Sequence, residues 1–429
     1  MDSVSGSIPW NWRFYTIICQ MVRSFAVIWL NLECKELLMI QDDRKNHLFI
    51  QDLRVLFKEI SLFWKSVMVI IFAITLVLGF AVGSVKFADW YRKEIFQWIQ
   101  YIMAHISALV PISVGEIMIY IGITMIVLLV VAIVVGCFSN PVCKRIRKYY
   151  IRIVVCVLLY VYASETFNCF ILYRGETLEK QFIRLDAEYE MITLESLKNL
   201  HQKTVKKLNQ LSGEFKRDSD GSILMMKSGN EEYQKECKEA LRNLSDEFPL
   251  LKGYYPDVKM IQSSSFMTQQ YLLGIYFPFS MEANYNEKAY ITNLPATFCH
   301  ELSHMKGYIL EDEANFLAYL ACIRSENTFM QYSGYLSVIR YIERDLLPYL
   351  SEEEKVEMVW ENKKVLMDDI FVKREVFEEI EKNALFSTDF ISEATDIFLD
   401  TNLKLNGISE GVVSYSQVVK LILLYEQLD

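Results

Sequence analysis

The segment Thr297–Gly307 reads T-F-C-H-E-L-S-H-M-K-G. His300 and His304 stand four apart. On a helix that spacing places both imidazoles on one face, one turn apart, where they can share a tetrahedral metal ion. Glu301 follows the first histidine, where a carboxylate can take a proton from metal-activated water and pass it to a leaving group. The neighbouring residues favour a helix: Pro295 suits a first turn, Phe298 and Leu302 give a core face, and Gly307 ends it. With five histidines in the chain, chance produces this pattern in well under about 1% of shuffled sequences. The competing reading is a pair of helix-surface histidines beside a glutamate.

A zinc site of this kind needs a third protein ligand and a position left for water. The next segment, Gly307–Cys322, reads G-Y-I-L-E-D-E-A-N-F-L-A-Y-L-A-C. After the break at Gly307 it predicts a second helix with Phe316, Leu317, Leu320 and Ala321 facing inward. Its start offers Glu311, Asp312 and Glu313, which would also complement a helix dipole with no metal involved. H-E-x-x-H followed by E-x-x-A-N resembles the zincin peptidases with a glutamate third ligand. That resemblance implies zinc at His300, His304 and Glu311, Glu301 as general base, and Asn315 orienting a ligand histidine. Only six residues separate His304 from Glu311, fewer than in most such enzymes, so Glu313 stays a rival for the third position.

Upstream of this segment the composition changes. Hydrophobic residues make up 52% of the chain and mean hydropathy is +0.17. The excess sits in three apolar runs within the first 175 residues: Val67–Gly83, Ile117–Phe138 and Ile153–Leu172. Each is long enough to be read as a membrane span. Lys144, Arg145, Arg147, Lys148 and Arg152 lie between the second and third runs, which predicts that side to be cytoplasmic and everything after Leu172 to be outside. Trp90, Tyr91, Trp98 and Tyr101 suggest that the stretch between the first two runs lies along the membrane surface. No cleavable signal peptide is evident, and Phe14–Leu32 reads as a peripheral amphipathic helix. The organisation expected is therefore a peripheral segment (1–64), a transmembrane region (65–174) and an extracytoplasmic domain (175–429). The fold class expected is mainly α, with three transmembrane helices before an α-rich α+β, zincin-like domain. The net charge of −10 argues against nucleic acid as a partner. Nine scattered cysteines give neither a disulfide framework nor a cysteine–zinc pattern.

Within the polar part, Leu178–Leu211 predicts a long amphipathic helix or helical hairpin. Glu231–Phe248 predicts a helix stopped by Pro249, and Val258–Phe279 one or two strands. Four further stretches match in their placement: P-I-S-V-G-E-I before the second run, N-C-F-I-L-Y-R ending the third, Y-F-P-F-S-M-E-A-N-Y-N before the histidine motif, and G-V-V-S-Y near the C-terminus. Over roughly residues 65–427 the chain resembles an uncharacterised bacterial membrane family, domain of unknown function 3810. The family implies three spans and a zincin-like domain in the bacterial cytoplasmic membrane, and no substrate. Glu282, Asn284 and Asn286 are candidates for lining a cleft, with a structural turn as the plainer reading. Tyr415 is a candidate oxyanion donor, with a buried structural tyrosine as the alternative. Cys299 reads as core packing, and His47, His105 and His201, with no partners at ligand spacing, as surface or interface residues. The function expected is a membrane-anchored zinc hydrolase, a peptidase, with the bilayer and a peptide or protein as partners. The alternative is a membrane sensor or binding protein that retains a zinc site without general turnover.

Overall fold

The computed structural model describes residues 61–135, 141–185, 193–219, 221–224, 229–361, 363–405 and 417–428. The helix expected at Phe14–Leu32, His47 and Tyr415 lie outside the described residues. The chain divides into two compact units, Met1–Ile70 and Ile71–Asp429, and residues on both sides of position 174 belong to the second.

The described part is mainly helical. In chain order α1 is Leu62–Gly83, α2 Val85–Trp90, α3 Phe96–Ala108, α4 Val114–Val135 and α5 Pro141–Glu165. Three stretches are long and apolar enough to cross a membrane: Leu62–Gly83, Val114–Val131 and Arg145–Leu185. Along α4, Ile117, Ile121, Ile123, Ile126, Leu128 and Val131 are all exposed, which is the pattern of a helix solvated by lipid rather than water. The third apolar stretch begins earlier than expected. Arg145, Arg147, Lys148 and Arg152 stand on α5 itself rather than in a loop, because long basic side chains can reach headgroups from a helix that does not stop at the interface.

Two single turns of π-helix interrupt this region, Tyr91–Ile95 and Thr166–Phe170. They meet: the Tyr91 hydroxyl donates to the Phe167 carbonyl at 3.0 Å, and the two rings stack. Between them they place α3 against the polar part of the chain. Phe96, Gln100, Ala104 and Ser107 form its buried face, while Trp98, Ile102 and Ile106 are exposed.

Next come α6 (Leu178–Leu185), α7 (Leu194–Ser212) and α8 (Gly229–Asn243). A three-stranded sheet follows: β1 (Lys259–Met260), then after the short α9 (Ser264–Gln269), β2 (Gly274–Phe277) and β3 (Glu282–Tyr285). The order is β1-β3-β2, with β1 parallel and β2 antiparallel to β3. The expectation of a turn or cleft lining at Glu282, Asn284 and Asn286 is corrected here. Glu282 and Asn284 lie on the central strand, and all three are buried. A run of buried residues ending in Asn-Tyr-Asn resembles a turn by composition, but its side-chain amides donate within the fold. Asn286 donates to Thr268 Oγ1 and the Leu272 carbonyl, both at 3.0 Å.

Glu282 has a different task. It accepts from the main-chain N–H of Val114 (3.2 Å) and Gly115 (2.7 Å), the first turn of α4, and pairs with the buried ammonium of Lys259. In return Glu116 of α4 accepts from Gln262 N and Ser263 N, both at 2.8 Å. The sheet is thus fixed to the start of the second apolar helix by carboxylates running in both directions.

The remaining helices are α10 (Leu294–Met305), α11 (Glu311–Ile323), α12 (Thr328–Leu346), α13 (Glu352–Glu361), α14 (Lys363–Asp368), α15 (Arg374–Asn383), α16 (Thr388–Leu405) and α17 (Gln417–Leu428). Helices α10, α11 and α12 pack together, with α10 also covering β2 and β3. Phe298 and Leu302 of α10 are fully buried, as are Phe316, Leu317 and Ala321 of α11.

Candidate metal centre

Pro295 opens α10 in its first turn, where its fixed φ and missing N–H are tolerated. The helix ends before Gly307, whose φ is +97°, a backbone state that side chains other than glycine rarely adopt. A Cβ there would also stand 3.2–3.4 Å from the Phe96 ring and Arg92 Cγ. This turn brings α11 back over α10 and makes the short His304–Glu311 spacing workable.

The result is a compact donor set. His300, His304 and Glu311 offer ligand atoms that all lie within 4.8 Å of one another. Nε2 of His300 is 3.2 Å from Glu311 Oε2, and Nε2 of His304 is 3.5 Å from Glu311 Oε1. The two rings are nearly perpendicular, at 85°. Nδ1 of His304 faces the Tyr308 carbonyl at 2.8 Å, which fixes the ring and turns Nε2 toward the carboxylate.

Glu313 goes elsewhere. Its buried carboxylate accepts from Leu178 N at 2.6 Å and so caps α6. Burial, reinforced by Asp312, pushes it up to about 7. Glu311, not Glu313, faces the histidines. The group that faces His304 Nδ1 is the Tyr308 carbonyl, and Asn315 stands beside the Tyr341 hydroxyl. Cys299 is buried beside Cys322, their sulfurs 3.9 Å apart, away from the donor set. His105 stacks on Tyr254. His201 is buried between α7 and α12, 3.9 Å from Glu343, which corrects the surface reading: it shares the inward face of Leu197, Leu200 and Leu208.

The charges in the site are strongly coupled. Burial pushes the Glu301 carboxyl up to about 7, partly offset by His300 and His304. Burial works against a charged His304, yet Glu311 beside it raises the imidazole to about 9. Burial likewise opposes the Glu311 charge, and the two histidines overcome it, holding that carboxyl well below the usual range. A carboxylate set between two imidazoles in this way is a place where positive charge is favoured. Glu301 Oε2 is buried and has no hydrogen-bond partner among the described residues. An unsatisfied buried carboxylate oxygen beside two imidazoles and a second carboxylate suits a metal ion with a bound water, so the residues present fit a zinc ion.

Sequence reasoning missed two neighbours. Gly274 of β2 lies against Glu301: a Cβ there would fall 2.5 Å from Oε1 and 2.8 Å from both Glu301 Cγ and Thr297 Cγ2. Gly274→Ala is therefore expected to displace the Glu301 carboxylate and, for a metal-dependent hydrolysis at this site, to lower the rate by about 10–100-fold without loss of the metal. Steady-state rates beside elemental analysis check this, and a fully active variant would show that the carboxylate has room to move. Tyr341 of α12 is the other. Its hydroxyl is raised by burial and by the Glu311 charge, which marks it as a neighbour of that carboxylate. Nothing in its local sequence signals this, because only the packing of α12 on α11 brings Tyr341 near Glu311.

Residues 91–423 match the family described as protein of unknown function (DUF3810). No curated protein and no solved structure matches the chain.

Proposed function

The chain belongs to the DUF3810 family of unknown function, and we propose that it is a membrane-anchored, zinc-dependent hydrolase that cleaves peptide bonds. The observation that carries this reading is the donor set of His300, His304 and Glu311 with the unpartnered Glu301 carboxylate beside it. A zincin-like arrangement is supported by the H-E-x-x-H helix packed under a mixed sheet and a third carboxylate from the following helix.

His300 Nε2, His304 Nε2 and the Glu311 carboxylate would hold the ion. Zinc bound there supplies a water whose pKa falls toward about 7 and polarises the scissile carbonyl. Glu301 takes a proton from the attacking water and delivers it to the leaving nitrogen. Its burial helps, since a carboxyl raised toward neutrality both accepts and returns a proton readily. The Tyr308 carbonyl keeps His304 in one tautomer. Strand β2 is an edge: among the described residues no strand pairs with its outer side. That edge can hold an extended peptide by main-chain hydrogen bonds.

The anchor reading rests on the three apolar helices. The basic residues Arg145, Arg147, Lys148 and Arg152 lie near the start of α5, and the hydrolase part follows its end. By the positive-inside rule this supports a site outside the cytoplasmic membrane. Elemental analysis of the purified full-length protein tests the metal. About one zinc per wild-type chain is expected, with most of it lost in His304→Ala. A folded wild-type protein that takes up no zinc would overturn the proposal.

A further inference from the structure

The metal centre lies unusually close to the apolar helices, and three independent connections show it. Glu301 lies against Gly274 at one end of β2, and Phe277 lies at the other end. The Phe277 ring fills the space above Gly115 in the first turn of α4, where a Cβ would come within 2.1–2.9 Å of it. Three steps of strand at about 3.4 Å each separate the two ends, or about 10 Å in all. Tyr276 makes the second connection. Its ring centroid is 6.2 Å from that of His304, and its hydroxyl donates to Met281 Sδ (2.9 Å) and lies 3.4 Å from the Asn168 carbonyl in the π-turn Thr166–Phe170 that follows α5.

Helix α3 makes the third. Gln97 Nε2 donates to the Lys306 carbonyl at 3.2 Å, and the Lys306 ammonium donates to Gln100 Oε1 at 3.3 Å, two residues past His304. The opposite face of α3 and its flanks carries Ile95, Trp98, Ile102, Ile106 and Leu109, all exposed and spaced three or four apart. Such a face suits the headgroup boundary of a bilayer. The turn after His304 therefore rests on the back of an interfacial helix, about one helix diameter (10–12 Å) from lipid.

The free edge of β2 points the same way. Asn286 N donates to the Leu273 carbonyl at 2.8 Å. By the antiparallel alternation, Leu273, Ile275 and Phe277 exchange bonds with β3, and Gly274 and Tyr276 turn their main-chain groups outward. A peptide laid along that edge has its reacting bond at the Gly274 end and runs toward the start of α4.

Resting on the hydrolase reading above, we propose that the substrate is the membrane-proximal, extended segment of a polypeptide tethered in the same bilayer, cut a few residues from its anchor. A site tied by three contacts to the apolar helices, and about one helix diameter from the exposed apolar face of α3, meets such a segment directly. A peptide free in solution has to find the same edge without the tether that raises its local concentration.

The test uses the full-length protein reconstituted into phosphatidylcholine–phosphatidylglycerol vesicles. The probe is a mixed-sequence peptide library in three forms: lipid-anchored through a short spacer, lipid-anchored through a long flexible spacer, and free in solution. Mass spectrometry reads the cut positions, with Glu301→Gln as the blank. The expected result is Glu301-dependent cutting about three to six residues from the anchor in both anchored forms, at least about 10-fold faster than in the free library. The long-spacer form separates reach from surface concentration, since cuts throughout the spacer would overturn the proposal. Equal cutting of the free library would also overturn it while leaving the hydrolase reading intact. No Glu301-dependent cutting of any form would remove both.

Discussion

Glu301→Gln is expected to lower hydrolysis by about 10²–10⁴-fold, the usual worth of a positioned acid–base group, with zinc content unchanged. The amide keeps the shape of the carboxylate and removes its ability to accept a proton. Glu301 is 4% exposed and Oε2 has no partner among the described residues, so the substitution breaks no hydrogen bond of that oxygen. The three groups that would hold the ion are untouched. Rates on any cleaved peptide, with metal analysis of the same preparation, decide the matter. Full activity in the Gln variant would sink the mechanism, and lost zinc would show that Glu301 acts on the metal and not on the proton.

The second large effect concerns stability. Glu282→Ala should destabilise the protein by about 3–5 kcal/mol, because it strands a buried charge. Lys259 is 7% exposed and would keep only the carbonyls of Ser107 and Ile112 as acceptors. The N–H groups of Val114 and Gly115 would lose the carboxylate at the same time. Removing both charges together, as Lys259→Met with Glu282→Leu, should recover part of the loss, since replacing a buried pair by apolar groups is often nearly neutral. Thermal unfolding of the detergent-solubilised protein reads both variants. An unchanged midpoint in Glu282→Ala would mean that water reaches the pair.

The part of the site visible in the sequence is the part written locally. His300, Glu301 and His304 lie within a single turn and a half of helix, and the apolar runs announce themselves by composition. The choice between Glu311 and Glu313 was not visible. Two residues apart on a helix point about 200° away from each other, so only one can face the histidines. Which one does is set by the left-handed turn at Gly307 and its packing on Phe96. The same reason hid Tyr308, Gly274 and the Lys259–Glu282 pair: each acts through a partner brought near only by the tertiary fold. The Tyr308 carbonyl that holds His304 was hidden too, because a main-chain group carries no sequence signature.

The carboxylates exchanged between the sheet and the start of α4 bear on how this protein can change over generations. An enzyme attached through a flexible linker can trade its anchor for another and lose nothing but address. Here Glu116 and Glu282 each hold main-chain groups of the other part, so a foreign second span would leave the sheet without two of its buried partners. Descendants of this chain are constrained to inherit sheet and anchor together, and a soluble offshoot would first have to rebuild the floor beneath the His300–His304–Glu311 cluster.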